Sequence, residues 1–208
     1  MWLCLNVDRA IYVSFVENVG DKIMSITIRT AYVGDAREIL TIYAYYVKNT
    51  AITFEYEVPT EIEFAGRIEN TLKRYPYLVA LEGDRIIGYA YAGPLKGRAA
   101  YDWSVETTVY VVNEERGSGI GRALYEALEK DLKAMGILNM YACIAEPIGD
   151  DPYLTNDSPK FHQRMGFAVI GQFHQCGYKF GRWYNMIWME KFIGEHKDVT
   201  EPVKFNRD

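Results

Sequence analysis

The chain has 208 residues, of which 25% are charged, and carries a formal net charge of −5. That length suffices for one domain with a substantial core, and the negative balance without a Lys/Arg cluster excludes a nucleic-acid-binding face. No apolar run reaches the roughly 20 residues of a membrane span, and Asp8, Arg9, Glu17 and Asp21 interrupt the N-terminus where a secretory signal would be continuous. Cys4, Cys143 and Cys176 have neither CxxC spacing nor a histidine ligand set. They read as buried free thiols of a reducing cytoplasm, with no metal site.

Residues 1–24 are a mixed segment unlike the rest of the chain. Two readings fit it: a genuine extension, or an upstream start with Met24 as the initiator. Ser25 to Arg29 alternates as a strand does. Asp35 and Glu38 form a capping-box pattern ahead of Ile39, Leu40, Tyr43 and Val47, which predicts a helix over 35–48. Thr60 and Glu63 repeat the pattern before Phe64, Ile68 and Leu72, with Pro76 beyond the helix end. Tyr77–Glu82 and Arg85–Ala92, joined by Gly83-Asp84, read as a hairpin. Gly93-Pro94 then opens a loop reaching Ala100.

A β-branched strand, Val105 to Val112, leads through Asn113-Glu114-Glu115 into Arg116-Gly117-Ser118-Gly119-Ile120-Gly121-Arg122 and a helix over 119–135 that Gly136 ends. Next come a strand over 138–145, a loop over 146–156 and a short helix over 159–165. The last strands, 167–174 and 183–192, are joined by Cys176 to Arg182. The order is β-α-α-β-β-β-α-β-α-β-β. It predicts one α/β domain with a mixed sheet over 25–195, with a charged, mobile tail over 196–208.

The glycine turn is the densest chemical signal. It lacks the dinucleotide-binding spacing, which needs an acid about 20 residues on and a place in the first βαβ unit, and no Lys-Ser/Thr comes after it as in a P-loop. What remains open is an ordinary tight βα turn or a strand-turn-helix cradle whose backbone amides hold a pyrophosphate. Strand parity sets Glu106 with Thr108 and Tyr110, opposite Val105, Thr107, Val109 and Val111.

With Arg116-x-x-Gly119-x-Gly121 after a long strand, the sequence resembles the GNAT N-acetyltransferases over roughly residues 26–192, and within them the phosphinothricin acetyltransferase family. Three segments carry the closer likeness: Tyr101 to Val111, Phe161 to Phe167, and Gly177 to Trp183. The resemblance implies a mostly antiparallel central sheet flanked by helices, acetyl-CoA as acetyl donor, and transfer to the amine of a small amino-acid-like substrate such as phosphinothricin or methionine sulfoximine. It implies Glu106 as general base, withdrawing the proton of the acceptor ammonium, and His162 as an imidazolium that protonates the departing thiolate.

On the same resemblance, Val109, Tyr110, Val111, Arg116, Gly117, Ser118, Gly119, Ile120, Gly121, Arg122, Asn156 and Ser158 bind the cofactor. An acceptor carboxylate or phosphinate calls for Arg or Lys beside aromatic rings, so Lys96, Arg98, Tyr101, Trp103, Tyr178, Lys179 and Trp183 are candidates for the acceptor site. Nothing in the sequence activates Cys143 or Cys176, which favours direct transfer. The family's Asn-x-x-Ser appears as Thr155-Asn156-Asp157-Ser158, with its Asn one place late, and Glu114 and Glu115 precede the anion turn. The resemblance also implies a homodimer. Another acceptor amine (amino acid, polyamine or peptide amine) and a non-catalytic acyl-CoA-binding module are the alternatives.

Overall fold

A computed structural model describes residues 11–19 and 22–205, with side chains from residue 26 onward. The elements in order are β1 (Ile11–Val19), β2 (Lys22–Thr30), α1 (Ala36–Asn49), α2 (Glu61–Leu72), β3 (Tyr77–Glu82), β4 (Arg85–Pro94), β5 (Ser104–Val111), α3 (Ile120–Met135), β6 (Asn139–Glu146), α4 (Asp157–Arg164), β7 (Ala168–Lys179) and β8 (Arg182–Phe192). The described strands form one eight-stranded sheet in the order β1-β2-β3-β4-β5-β6-β8-β7. Every neighbouring pair is antiparallel except β5 and β6. The α/β reading with a mostly antiparallel sheet holds. No helix of the described residues is long and apolar enough to cross a membrane.

The alternation of the central strands builds two cores. Leu78, Ala80, Ile87, Ala90, Val105 and Met140 pack with Leu124 and Leu128 of α3 on one face. Tyr77, Val79 and Tyr89 pack with Ile39, Tyr43 and Val47 of α1 and Phe64 and Ile68 of α2 on the other. The parity read for β5 is kept: Val109 and Val111 pack against the α3 core, and Tyr110 against the α1/α2 core. Gly88 faces α3, where a Cβ would lie 3.1–3.2 Å from Tyr110 O, Ile120 and Leu124, so a bare backbone permits this close helix-on-sheet approach.

Several expected local details differ. The capping box at Thr60 and Glu63 forms as read, with Glu63 N donating to Thr60 Oγ1 (3.2 Å) and Thr60 N to Glu63 Oε2 (2.7 Å). The Asp35–Glu38 box does not. Asp35 instead holds Arg29 through two bonds of 2.7 and 2.8 Å and accepts from Tyr32 N, and Glu38 accepts from Ile86 N of β4. A buried guanidinium competes better for Asp35 than a free helix amide does.

Gly93 and Pro94 belong to β4, paired with Glu106 and Val105. β7 runs through the expected 176–182 loop to Lys179, bulging between Phe173 and Gly177, and the turn reduces to Phe180 (φ 51°) and Gly181 (φ 74°). The expected boundary at residue 24 falls within β2, which pairs with β1. Within the expected tail, Lys204 N donates to Met135 O (2.8 Å), Val203 is buried, and Phe205 packs edge-on to Tyr75.

The Arg29–Asp35 pair ties β2 to the start of α1 with side chains 13% and 3% exposed. Removing one partner of a buried pair leaves an uncompensated charge, so Asp35→Ala should cost about 3–5 kcal/mol in a urea melt. A loss below about 1 kcal/mol would show that the pair does not anchor this corner.

Candidate active site

The site opens where β5 and β6 part. Their parallel register covers only Ser104↔Asn139, Val105↔Met140 and Glu106↔Tyr141, although β5 continues to Val111 and β6 to Glu146. Beyond Glu106 that edge of β5 has no strand beside it. Thr107 closes the fork by donating from Oγ1 to Tyr141 O at 3.0 Å. Two cavities of about 660 and 240 Å³ fill the opening and share Ile52, Val109, Tyr110 and Ser158 in their walls.

The larger cavity is walled by β5, the glycine turn and α4, including Val109, Tyr110, Val111, Gly119, Arg122 and Arg164. Gly117 and Gly119 take φ of 83° and 87°, which side chains rarely adopt. The first intrahelical bond of α3 is Ala123 N to Gly119 O (3.0 Å), so the amides at 120–122 have no helix carbonyl and point out of the N-terminus. Gly121 sits beside the Phe161 ring. Arg116 lines the cavity and reaches Asp157 of α4 at 3.2 Å. Glu115 and Asp157 also line this cavity, Glu115 paired with Arg85 at 3.3 Å and Asp157 with Arg116. These amides and arginines fit a pyrophosphate. Of the residues expected at the cofactor, Ser118 and Ile120 are buried below the turn, with Ser118 Oγ bonded to Glu115 O, and Asn156 is exposed outside both cavities.

Glu106 stands at the fork on the wall of the smaller cavity. Among the described residues, no hydrogen bond or ion pair engages its carboxylate. Burial raises its pKa above the ordinary carboxylate value, and Lys96 partly offsets that. Facing it across the fork is a buried polar chain. His162 is 4% exposed. Its Nδ1 lies 2.8 Å from Ser158 O and its Nε2 2.9 Å from the Tyr125 hydroxyl, which in turn is 3.2 Å from Thr107 Oγ1.

A carbonyl only accepts, so Nδ1 carries the hydrogen. Burial pushes the His162 pKa down to about 4, so the ring is neutral near pH 7 and Nε2 accepts from Tyr125. With Tyr125 donating to His162 and Thr107 donating to Tyr141 O, no hydrogen is left for the Tyr125–Thr107 contact, the longest of the chain. The imidazolium expected from the sequence is therefore not the form this environment favours, because a charged ring would lose its hydration without gaining an anionic partner.

The candidates for the acceptor site separate. Lys96, Arg98 and Tyr101 are exposed on the segment after β4, outside both cavities. Trp103 packs against the α3 core and donates from Nε1 to Glu201 O (2.9 Å). Tyr178 and Trp183 are 47% and 54% exposed and pack on each other at 5.0 Å on the outer hairpin. Lys179, expected to meet an acceptor anion, is 2% exposed, and its ammonium donates to Thr50 O (2.9 Å) and Thr53 O (2.8 Å). Burial lowers its pKa.

Lys179 thus clamps the segment after α1 that supplies Ile52, Thr53 and Phe54 to the smaller cavity. Phe54 lies over Gly177, where a Cβ would overlap its ring, and Tyr56 donates to Tyr178 O. Asp151 orders the loop before α4 by accepting from Tyr153 N (2.8 Å) and engaging Arg182 at 3.4 Å. Ala51 N then donates to Tyr153 O.

The residues the sequence did not single out are Thr107, Tyr125, Ile52, Phe54 and Met186, all on the wall of the smaller cavity. Their residue types carry no signal in isolation. Cys143 and Cys176 are free thiols and exposed rather than buried; Cys143 faces the smaller cavity with Sγ 2.8 Å from Met186 Sδ, and Cys4 lies outside the described residues.

Comparison with known proteins agrees with this geometry. The family described as an acetyltransferase (GNAT) domain matches residues 28–188. A phosphinothricin N-acetyltransferase of Streptomyces viridochromogenes is 35% identical over 168 residues, covering 80% of this chain and 88% of the relative. An L-methionine sulfoximine/L-methionine sulfone acetyltransferase of Pseudomonas aeruginosa is 35% identical over 174 residues, covering 80% and 94%. Among solved structures, a GNAT superfamily phosphinothricin acetyltransferase of Sinorhizobium meliloti in complex with acetyl-CoA superposes with a TM-score of 0.76 at 34% identity, covering 88% of this chain and 99% of that one.

The Lys179 clamp has a direct test. Lys179→Met keeps most of the side-chain volume but leaves two carbonyls without their donor, which should cost about 1–3 kcal/mol and speed amide exchange over residues 50–54. Unchanged exchange in that segment would show that the ammonium does not hold it.

Proposed function

Since the chain belongs to the GNAT acetyltransferase family and is an acetyl-CoA-dependent N-acetyltransferase, we propose that it acetylates the amine of a free amino acid of the phosphinothricin or methionine sulfoximine kind, with Glu106 as the general base. The observation that carries this reading is the position of Glu106, a partly desolvated carboxylate with no bonded partner among the described residues, on the wall of a small cavity that adjoins an anion cradle. The names of the relatives support the acceptor class.

Bound acetyl-CoA supplies the acetyl thioester. The amides opening α3, with Arg116, Arg122 and Arg164 on the wall of the larger cavity, hold its pyrophosphate end. An amino-acid ammonium cannot attack until it loses a proton. Glu106 accepts that proton, directly or through one water, a contribution typically worth about 10²–10⁴ in rate. Burial favours this transfer, because a carboxylate with a raised pKa holds the proton more firmly.

His162 serves as a positioning residue in its neutral form, fixing Tyr125 and the backbone at Ser158 on the cavity wall. Transfer is direct: Cys143 is exposed as a residue, but its thiol is packed against Met186 in the cavity wall, and that local desolvation with the neighbouring Glu106 pushes it up to about 12, so the thiolate needed for a covalent acetyl-enzyme is scarce. The requirement for acetyl-CoA and the free thiols support a cytoplasmic protein.

Glu106→Gln should lower kcat by at least about 100-fold while leaving the acetyl-CoA Kd within about twofold; turnover equal to the parent protein's, with acceptor in excess, would remove Glu106 from the mechanism. The acidic limb of the parent pH–rate profile should lie above the ordinary carboxylate pKa. Lys96 lowers the Glu106 pKa, so Lys96→Met should shift that limb to higher pH, whereas a shift to lower pH would contradict the assignment.

We also propose a homodimer that covers the aromatic outer hairpin, where Phe173, Tyr178 and Trp183 are exposed. Sedimentation at micromolar concentration should give twice the chain mass, with Trp183→Glu shifting it to the monomer. A parent protein that sediments as a monomer would overturn the dimer.

A further inference from the structure

The fork has a root as well as an opening. The parallel register that joins β5 to β6 is short, ending at Glu106↔Tyr141, and parallel pairing is slightly weaker per residue than antiparallel pairing. Below it, the segment after β8 crosses both strands. Ile193 N donates to Leu138 O (2.8 Å), and Gly194 lies so close that a Cβ would overlap the Leu138 side chain. His196 Nε2 is 2.8 Å from Oδ1 of Asn139, the first residue of β6. The indole of Trp103, just before β5, donates to Glu201 O (2.9 Å). Ile193 and Val203 are buried in the α3 core, and Lys204 N reaches Met135 O. Residues 193–205 lie beyond the stretch 28–188 that matches the family.

A second arm reaches the same place. The Arg74 guanidinium stands 3.9 Å over the Phe205 ring and meets Asp102 at 3.3 Å. On their other side, Trp103 O accepts from Leu138 N (2.9 Å) and Asn139 N (3.1 Å). Asp102 and Trp103 are thus gripped between the segment and the start of β6. They end the connection between β4 and β5, which also carries Lys96. An exposed ion pair such as Arg74–Asp102 contributes little alone, so the indole bond and the buried Ile193 and Val203 carry the grip.

We propose that residues 193–205 clamp the root of the fork, with Trp103 as the positioning residue through which the clamp fixes Glu106 and Lys96 relative to one another. The inference rests on Glu106 as the general base. Glu106 occupies the last paired position of β5 before the opening, so slack at Trp103 and Ser104 passes directly to its carboxylate. Around it stand Lys96 of the β4–β5 connection, Tyr91 of β4, Tyr125 of α3, Tyr141 and Cys143 of β6, and the neutral His162 of α4. Of these groups, Lys96 is the cation, and the clamped connection carries it.

The test uses Trp103→Phe, which keeps a ring but removes the indole N–H, combined in the full chain with Phe205→Ala. The double variant should lower kcat by about tenfold or more, as misplacement of a reacting group does, while acetyl-CoA Kd stays within about twofold. The pH profile is the second readout. Lys96 favours the ionised form of Glu106, so a carboxylate that has drifted from it keeps its proton to higher pH. The acidic limb should therefore move to higher pH in the double variant, and adding Lys96→Met should move it no further.

A role in stability alone would lower the melting temperature and leave kcat per folded molecule and the acidic limb at the parent values. Either quantity unchanged in the double variant would overturn the clamp. Trp103→Phe by itself decides the same two quantities should the double variant fail to fold. Glu106→Gln in the same assay separates the two readings. If its turnover is lost while the clamp variants match the parent, the clamp alone falls; if its turnover equals the parent's, the general base falls and the positioning role with it.

Discussion

The parting of β5 from β6 is the constraint on which the rest of the site depends. Three residue pairs hold the two strands in parallel register, and the pairing stops at Glu106 and Tyr141. Strand edges inside a domain are costly unless something satisfies their backbone groups. Here Thr107 satisfies one carbonyl of β6 at the fork and Tyr46 donates to Val111 O. What remains of the gap becomes two adjoining cavities, and the last residue pair before it carries Glu106, the proposed base. An opening in an otherwise continuous sheet thus brings an anion cradle, a second cavity and a carboxylate to one place.

Desolvation then gives the polar groups around the fork their different characters. The same burial raises Glu106 and Cys143 and lowers His162, because each group is pushed toward its neutral form. For Glu106 the result is a stronger proton acceptor. For Cys143 it is a thiol held toward its protonated form, and for His162 a neutral ring whose two nitrogens are committed to Ser158 and Tyr125. A histidine beside a reaction centre invites an acid–base role, yet its hydrogen-bond partners and its burial make this one a structural support for the cavity wall.

The far side of the smaller cavity is built by indirect means. The segment after α1 has no regular structure of its own between Thr50 and Thr60, yet it presents Ile52, Thr53 and Phe54 to the cavity. Lys179 and Tyr56 tie it to β7, the Phe54 ring occupies the space that glycine leaves at 177, and Asp151 braces the neighbouring loop. Lysine at 179 contributes through two backbone carbonyls rather than through a substrate anion. The motif from Gly177 to Trp183 accordingly divides its work, its inward residues holding the pocket and Tyr178 and Trp183 facing outward.

Local patterns in the sequence determined much of this protein. Two-residue alternation marked the strands, the Thr60–Glu63 box marked a helix start, and glycines at 117, 119 and 136 marked the left-handed positions that bound α3. Those signals are legible because each arises from a few neighbouring residues and backbone sterics. The parity read for β5, with Tyr110 opposite Val109 and Val111, is kept, and the motifs marked the family.

Tertiary structure alone decided the rest. Asp35 left its expected helix cap for Arg29, Lys179 turned inward to carbonyls more than a hundred residues away in the chain, His162 lost its charge, and Met186 met Cys143 in the wall of the smaller cavity. In each case the outcome depends on which distant group fills the space beside the side chain and on whether water reaches it. A carboxylate, an ammonium or an imidazole reads the same in sequence whether exposed or buried, and only packing fixes its partner and its proton.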